Sequence, residues 1–203
     1  MLFCCEAKTQ TEYITNGSFE QIDSCYGNFT PTGLDVFAWS SCKGWSNPIK
    51  STSDLWCENP KMGTVTPPLI FGAGYQYPHI GNNMSGIYIG AGPNYANYRE
   101  YIQNHLMQTL KANKKYNIEF YLSRGSMPCT TSKFGVKFFN SKYSDMTTYW
   151  LTNMQTDAEN DVNNFITDTL GWQKVSMQYK AKGLVHFDLI QLHPYHSTLY
   201  LKN

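Results

Sequence analysis

Aromatic side chains are the residues of this 203-residue chain whose type and spacing best suit ligand chemistry. The apolar faces of sugar rings stack on tryptophan and tyrosine, while nearby amide and guanidinium groups bind the sugar hydroxyls. The aromatics in or beside predicted loops are Trp45, Trp56, Tyr75, Tyr77, Tyr95 and Tyr98. Arg99 and Asn97 would supply hydrogen bonds to the same ligand. The alternative is that these rings are half-buried strand residues of an ordinary core.

Patterns for metal binding or catalysis are weaker. "HPYH" at 193–196, with His186 nearby, offers metal ligands, but Pro194 breaks the spacing that a regular element would give, and we predict a surface loop. The acidic stretch 157–168 loosely resembles a calcium loop, but it has Val162 where such a loop needs glycine. We predict a solvated loop there. No G-x-S-x-G motif is present, so the residues favour binding over hydrolysis.

The cysteines suggest an oxidising compartment. They are Cys4, Cys5, Cys25, Cys42, Cys57 and Cys129. No pair has C-x-x-C spacing, and no histidine stands at zinc-ligand spacing from them, which argues against a zinc ribbon. In a chain rich in tyrosine and asparagine, spread-out cysteines favour disulfides in an exported protein. The alternative is that some are small buried hydrophobes. Residues 1–10 are interpreted as the remnant of a signal peptide or a flexible N-terminus.

Charge and hydropathy exclude several classes of partner. The formal net charge is +1 and charged residues make up 15% of the chain, so the balance predicts no nucleic acid and no acidic membrane partner. The lysine-rich stretch 111–115 is predicted to be a turn. No segment approaches the ~20 apolar residues of a membrane helix.

Alternation of apolar and polar residues predicts the elements that would position these side chains. In 115–123 every second residue is apolar, which is the pattern of a half-buried strand. The same alternation predicts strands at 133–139, 172–181 and 184–192. The segment 98–115 is ambiguous, because its apolar residues recur every four positions and fit a helix or a long strand. Many short strands separated by turns favour a β-sandwich or jelly roll.

Short motifs in a fixed order resemble a known family. They are "NGSFE" (16–20), "SDLWC" (53–57), "GYQ" (74–76), "YREYIQNHL" (98–106) and "TDTLGWQKVSMQYKAKG" (167–183). The series resembles the jelly-roll domain of secreted, gliding-motility-associated proteins of the Bacteroidetes, which is similar to galactose-binding-domain-like carbohydrate-binding modules. The resemblance implies an all-β jelly-roll β-sandwich, formed as a single domain over residues 11–203. It also implies that 98–115 is a strand and that Trp39 and Trp172 belong to the core.

The resemblance further implies a structural Ca²⁺ and a disulfide. In this fold the glutamate of "NGSFE" often binds Ca²⁺ with an aspartate of the last strand, which points to Glu20 and Asp188. If 198–203 is instead the closing strand, Lys202 occupies a position where the family usually has an aspartate, and its positive charge would repel a cation. The alternative is that Glu20 caps a turn or pairs with a lysine. The family's cysteine positions imply a Cys25–Cys57 bridge, and Cys42–Cys129 is the weaker pairing.

Together, the residues and the resemblance imply a secreted or cell-surface, non-catalytic carbohydrate-binding and adhesion module. Its expected partner is a glycan or cell-surface polysaccharide, and its ligand-binding residues are Trp45, Trp56, Tyr75, Tyr95, Tyr98 and Arg99. The alternative is a structural subunit of an extracellular assembly whose partners are other protein subunits. An exposed apolar patch or an unpaired edge strand would favour that alternative.

Overall fold

A computed structural model describes most of the chain. The described residues are 12–24, 42–50, 53–58, 69–70, 74–88, 99–124, 134–145, 151, 154–161, 163–183, 185–192 and 198–202. Cys25, Tyr95, Tyr98 and the "HPYH" stretch 193–196 lie outside them, so the predictions for these residues remain predictions. Within the described ranges there is no helix, and hence none long and apolar enough to cross a membrane.

The described residues form twelve β-strands. They are β1 (Trp45–Ser46), β2 (Asp54–Cys57), β3 (Leu69–Ile70), β4 (Gly74–Tyr75), β5 (Asn83–Tyr88), β6 (Ile102–Leu110), β7 (Lys115–Ser123), β8 (Phe134–Phe139), β9 (Ala158–Glu159), β10 (Gln173–Lys180), β11 (Val185–Leu192) and β12 (Thr198–Lys202). The strands that the alternation predicted at 115–123, 133–139, 172–181 and 184–192 are confirmed as β7, β8, β10 and β11.

The strands form two five-stranded antiparallel sheets and a small hairpin. The first sheet has the order β1-β6-β11-β8-β9, the second has the order β10-β7-β12-β5-β2, and β3 pairs with β4. From β5 onward the chain passes from one sheet to the other at almost every step, and the closing strand β12 inserts between β5 and β7. This interleaving is the jelly-roll arrangement of a double sheet. The predicted all-β jelly-roll sandwich is therefore confirmed.

The core lies between the two sheets. Along β10, buried Val175, Met177 and Tyr179 alternate with exposed residues, as the period of two requires. Rings from opposite sheets meet in the core: the centroids of Phe120 and Phe134 are 5.0 Å apart in an edge-to-face contact. Tyr179 stacks at 4.2 Å on a half-buried phenylalanine of β8. Such aromatic contacts add to the free energy of area burial and hold the sheets in register.

The ambiguous segment 98–115 contains the strand β6, as the resemblance implied. Ile102, Leu106 and Leu110 are all buried in the core. A spacing of four is a multiple of the strand period, so these residues share the inner face of a strand as readily as one face of a helix. Hydrogen bonding to β1 and β11 on either side stabilises the extended form. Tertiary pairing therefore decided what periodicity left open.

The "NGSFE" segment ties the two sheets together. Asn16 has a left-handed backbone with φ of 53°, and its side chain donates to the carbonyls of Gln21 (3.0 Å) and Lys43 (3.1 Å). Its Oδ1 accepts from the backbone N–H of Gln21 at 2.9 Å. The resulting turn, in which Phe19 also has positive φ (61°), directs the Phe19 ring into the core. Glu20 then contacts the start of β5 in the second sheet.

The acidic stretch 157–168 is held by local hydrogen bonds. Asp157 pairs with Lys137 at 3.2 Å and accepts from the amide of Phe138 at 3.0 Å. Asp161 accepts from the backbone and side chain of Asn163. Most of the stretch is irregular, as predicted, but 158–159 forms the edge strand β9, which the sequence did not indicate.

Candidate functional site

The outer face of the second sheet carries a cluster of aromatic residues, here called the aromatic surface: Tyr75, Tyr77, His79, Tyr121 and Trp172. Tyr75 is 43% exposed and Tyr77 59% exposed, while the other three are half-buried. The rings of Tyr75 and Tyr77 meet edge to face at 5.5 Å, and their hydroxyls are hydrogen-bonded at 2.9 Å. His79 stacks on Tyr121 at 3.9 Å and contacts Trp172 edge-on at 5.9 Å.

The buried side chain of Gln76 fixes the segment that carries the exposed tyrosines. Its Nε2 donates to the hydroxyl of Ser123 on β7 and to the carbonyl of Gly171 at 3.1 Å. Its Oε1 accepts from the backbone N–H of Tyr77 at 3.0 Å. Ser123 alternates along β7 with the core residue Leu122, so it belongs to the outer face of the sheet. Gln76 therefore holds Tyr75 and Tyr77 above that face in a defined position.

Trp172 joins the turn before β10 to the tyrosine segment. Its indole N–H donates to the carbonyl of Tyr77 at 2.9 Å, and its ring packs against the buried pair Trp56 and Met84. The preceding turn is closed by Asp168, whose Oδ1 accepts from the amides of Leu170 (2.9 Å) and Gly171 (2.7 Å). These hydrogen bonds stabilise the carboxylate and hold the pKa of Asp168 below its ordinary value. The bond from Gly171 has the larger effect and the bond from Leu170 the smaller.

An ion pair borders the aromatic surface. Lys174 of β10 is directly opposite Tyr121 of β7, and its ammonium lies 2.9 Å from the carboxylate of Glu119. The hydrogen bond that Lys174 donates to Glu119 raises the pKa of Lys174, because it stabilises the ammonium. The site thus combines exposed ring faces and edges with charged groups that can donate to and accept from hydroxyls. That combination suits the recognition of a polyhydroxylated ligand.

Two predicted ligand-binding residues are core residues instead. Trp45 is 6% exposed; it packs on Phe19 at 4.8 Å and donates its indole N–H to the carbonyl of Asn16 at 2.9 Å. Trp56 is 1% exposed and lies against Gly86 and Met84 of the neighbouring strand. Neither ring has a face left for a sugar. The prediction of ligand contact is wrong for both, although Trp56 supports Trp172 from below.

The structure places the remaining predicted ligand residues in different environments. Tyr75 lies in the aromatic surface, as described above. Arg99 precedes β6 and is buried, and its role as a hydrogen-bond donor to a ligand remains a prediction. Tyr95 and Tyr98 lie outside the described residues. Trp172 was expected to be a core residue; its half-buried ring packs on Trp56 and also carries one side of the aromatic surface.

His79 and Tyr121 are members of the site that the sequence did not single out. Tyr121 belongs to the outward-facing series of β7, and the alternation indicates that face without indicating what covers it. His79 lies in the segment after β4, where no motif marks it. Only the stacking of the two rings, which are 42 residues apart in the chain, brings them into one site.

The described residues do not fit the implied calcium site. One carboxylate oxygen of Glu20 accepts from the backbone amides of Asn82 (3.1 Å) and Asn83 (3.0 Å), so Glu20 caps the start of β5. Asp188 lies in β11, the strand before the closing strand β12, and β11 belongs to the opposite sheet. No group of three or more acidic, histidine or cysteine side chains that could hold a metal occurs in the described part of the chain.

Replacement of Glu20 by alanine is expected to lower the free energy of unfolding by about 1–2 kcal/mol, because two backbone donors lose a charged acceptor. Glu20→Gln keeps a carbonyl oxygen in place and should cost less than half as much. The capping role further predicts that EDTA leaves the midpoint of thermal unfolding of the unmodified protein unchanged. Equal losses for both variants, together with a lower midpoint in EDTA, would instead establish calcium binding by Glu20.

The cysteine predictions are resolved in part. Cys57 at the end of β2 is disulfide-bonded, and its partner lies outside the described residues, so the pairing with Cys25 remains a prediction. Cys42 is a free, buried thiol, which makes the weaker Cys42–Cys129 pairing wrong. Burial raises the pKa of the Cys42 thiol to about 12, so it is protonated and unreactive at neutral pH.

No family model matches the sequence, and no curated protein matches it. Among solved structures, the chain is similar to the apo carbohydrate-binding module of PbXyn10C, with 16% identity, a TM-score of 0.31, and coverage of 58% of this chain and 62% of that one.

A second similar structure contains the CBM22-1 and GH10 modules of Clostridium thermocellum xylanase 10B in complex with xylohexaose. Its identity to this chain is 14% and its TM-score 0.42, and the match covers 77% of this chain and 25% of the xylanase chain. The chain therefore spans less than two thirds of the length of either structure. At these identities and scores the likenesses do not identify a ligand, and the fold assignment depends on the strand topology described above.

Proposed function

We propose that this protein is a non-catalytic carbohydrate-binding module of an exported protein and that the aromatic surface is its binding site. The observation that carries the proposal is the exposure of Tyr75 and Tyr77 beside Trp172, on a segment fixed by a buried glutamine. Well-ordered exposed aromatics supply contact area at little cost in conformational entropy. A sugar would stack on a tyrosine ring and bond to the tyrosine hydroxyls or to the Lys174–Glu119 pair.

The disulfide at Cys57 supports export, because such bonds persist in oxidising compartments. The chemistry of the aromatic surface supports binding without catalysis: its members stack and donate hydrogen bonds, the neighbouring carboxylate of Glu119 is paired with Lys174, and that of Asp168 accepts from two backbone amides. Glycoside cleavage requires two carboxyl groups that flank one bond. The proposed role is therefore to hold a polysaccharide at the sheet surface.

A glycan-array screen with the full chain, produced under oxidising conditions, tests the proposal. We expect saturable binding to one class of glycan. Tyr77→Ala should weaken that binding about tenfold, equivalent to the ~1.4 kcal/mol of a lost aromatic contact, whereas Tyr77→Phe should weaken it less because it keeps the ring. The matched control is Met107→Ala, which removes a side chain of similar exposure (53%) from the opposite sheet.

Two outcomes would contradict the proposal: no binding to any glycan by a folded sample, or equal weakening by Tyr77→Ala and Met107→Ala. In either case the second candidate function, a structural subunit of an extracellular assembly, gains weight. One observation favours that function: Leu170, in the turn that holds Trp172, is 87% exposed. Leu170→Ser would then reduce self-association measured by sedimentation, and it would leave glycan binding unaffected if the first proposal is right.

A further inference from the structure

A second feature lies at the opposite end of β7 and β10 from Tyr121 and Trp172. The β6–β7 turn and the β10–β11 turn lie side by side there. The turns and the adjoining ends of β7 and β10 carry what is here called the lysine cluster: Lys111, Lys114, Lys115, Lys180 and Lys182. All five are exposed. The lysines at 111–115 and those at 180–182 are more than sixty positions apart in the chain, and only those at 111–115 form a recognisable lysine-rich stretch in the sequence.

The register brings like charges face to face. Lys180 of β10 is the direct partner of Lys115 of β7, so the two side chains leave the sheet on the same face. Like charges directly opposite each other on adjacent strands are destabilising. None of the five lysines forms an ion pair with any residue in the described part of the chain. The nearby Glu12, which precedes a tyrosine in contact with Tyr116, accepts hydrogen bonds from the amides of residues 13 and 14 through its Oε1.

The two turns are held rigidly, so the charges are positioned in advance. Backbone bonds join Asn113 N–H to the carbonyl of Ala181 (2.7 Å) and Ala181 N–H to the carbonyl of Lys114 (2.9 Å). Below the cluster, Tyr116 accepts from the amide of Lys111 at 2.8 Å through its hydroxyl, and its cross-strand partner Tyr179 contacts the amide of Lys182 at 3.5 Å. Binding of a ligand would therefore require little loss of backbone entropy, because the turns that carry the charges are already ordered.

We propose that the lysine cluster binds an acidic polysaccharide, through carboxylate or sulfate groups spaced along the glycan. Lysine ammonium groups attract such anions as point charges, and each anion bound would relieve the repulsion within the cluster. The site is distinct from the aromatic surface, because the six residue steps from Lys115 to Tyr121 span about 20 Å along β7. The proposal therefore does not depend on what the aromatic surface binds.

The surroundings of the cluster favour a polysaccharide over other polyanions. Binding of single-stranded nucleic acid uses exposed aromatics on which bases stack, but both tyrosines here lie beneath the turns with their hydroxyls turned to the backbone. Anchoring to a membrane surface uses exposed apolar side chains, and the exposed large hydrophobics of the described residues lie outside these two turns. The disulfide at Cys57 favours an extracellular setting, where acidic glycans are available.

The test measures binding of the full chain to immobilised polygalacturonate at low ionic strength, with dextran as the neutral polysaccharide and duplex DNA as a competing polyanion. We expect polygalacturonate to bind with an affinity that falls as the salt concentration rises. The lysine cluster should not bind dextran. DNA should bind more weakly than polygalacturonate at the same concentration of negative charge. The double variant Lys115→Gln/Lys180→Gln should weaken polygalacturonate binding roughly tenfold and flatten its salt dependence.

The matched control is Lys43→Gln/Lys142→Gln, which removes the same charge from exposed lysines outside the cluster. It should leave binding within twofold of the unmodified protein, as should Tyr77→Ala in the aromatic surface. Because both substituted cluster lysines are exposed, the double variant should fold, and its midpoint of thermal unfolding at low salt should rise slightly as repulsion is removed. Equal weakening by both double variants, stronger binding to DNA, or no binding to polygalacturonate would overturn the proposal.

Discussion

Replacing Gly86 by alanine is expected to lower the free energy of unfolding by about 3 kcal/mol, even though only one methyl group is added. Gly86 lies in β5, directly beneath the six-membered ring of Trp56, which packs across from the neighbouring strand β2. A Cβ at this position would overlap that ring. The ring cannot move away easily because it is 1% exposed and wedged against Met84 and Trp172. Urea denaturation of the oxidised protein measures the loss.

Gly183→Ala is the control for Gly86→Ala, because a Cβ there meets nothing within 4 Å. It should change the free energy of unfolding by less than about 0.5 kcal/mol. In the double variant Gly86→Ala/Trp56→Leu, the smaller side chain makes room for the new methyl, so the two effects should be strongly non-additive. If Gly86→Ala alone is neutral, the close packing of Trp56 on β5 does not occur. Since Trp56 supports Trp172, Gly86→Ala should also weaken glycan binding at the aromatic surface.

Replacing Asn16 by alanine is expected to cost about 3 kcal/mol, through two separable effects. The side chain satisfies the carbonyls of Gln21 and Lys43 and the amide of Gln21, and these groups would lose their partner. The backbone φ of 53° is also strained for alanine. Asn16→Gly removes the strain and keeps the hydrogen-bond loss, so it should recover about 1 kcal/mol of the cost.

Asn113 provides the matched comparison for Asn16. It has a similar φ of 65°, but it is exposed in the β6–β7 turn. Asn113→Ala should therefore cost only the backbone strain, about 1 kcal/mol, and Asn113→Gly should cost nothing. Chemical denaturation of the four variants separates the two contributions. Equal effects of alanine at both positions would show that the hydrogen bonds of Asn16 contribute no stability.

The sequence alone was sufficient to predict four of the six longest strands of the described residues. Period-two alternation is a local property, and it indicated β7, β8, β10 and β11 without knowledge of their partners. The sequence also indicated Tyr75 and Tyr77 as aromatics in or beside loops, and both are exposed, Tyr75 at the end of β4 and Tyr77 just after it. The sequence did not indicate the edge strand β9. It has only two residues, too few to show an alternation, and it is defined by its pairing with β8.

Which tryptophans reach solvent could not be decided from the sequence, because residue type does not say what covers a ring. The Trp56 ring lies over Gly86, its diagonal neighbour on β5, which has no side chain to displace it, and this contact forms only once β2 and β5 have paired. Gly86 itself was the available signal, because a glycine inside a strand often marks a close approach. Trp45 is buried because the turn at Asn16 brings a carbonyl to its indole N–H.

Tertiary structure alone also assembled both surface features. Tyr77 meets Trp172, and Lys115 meets Lys180, across long separations in the chain that no local pattern encodes. Local side-chain alternation determined which residues could face outward, since it depends only on the strand period. Strand order and register then determined which of those residues became neighbours, because they set contacts between segments that the sequence leaves far apart.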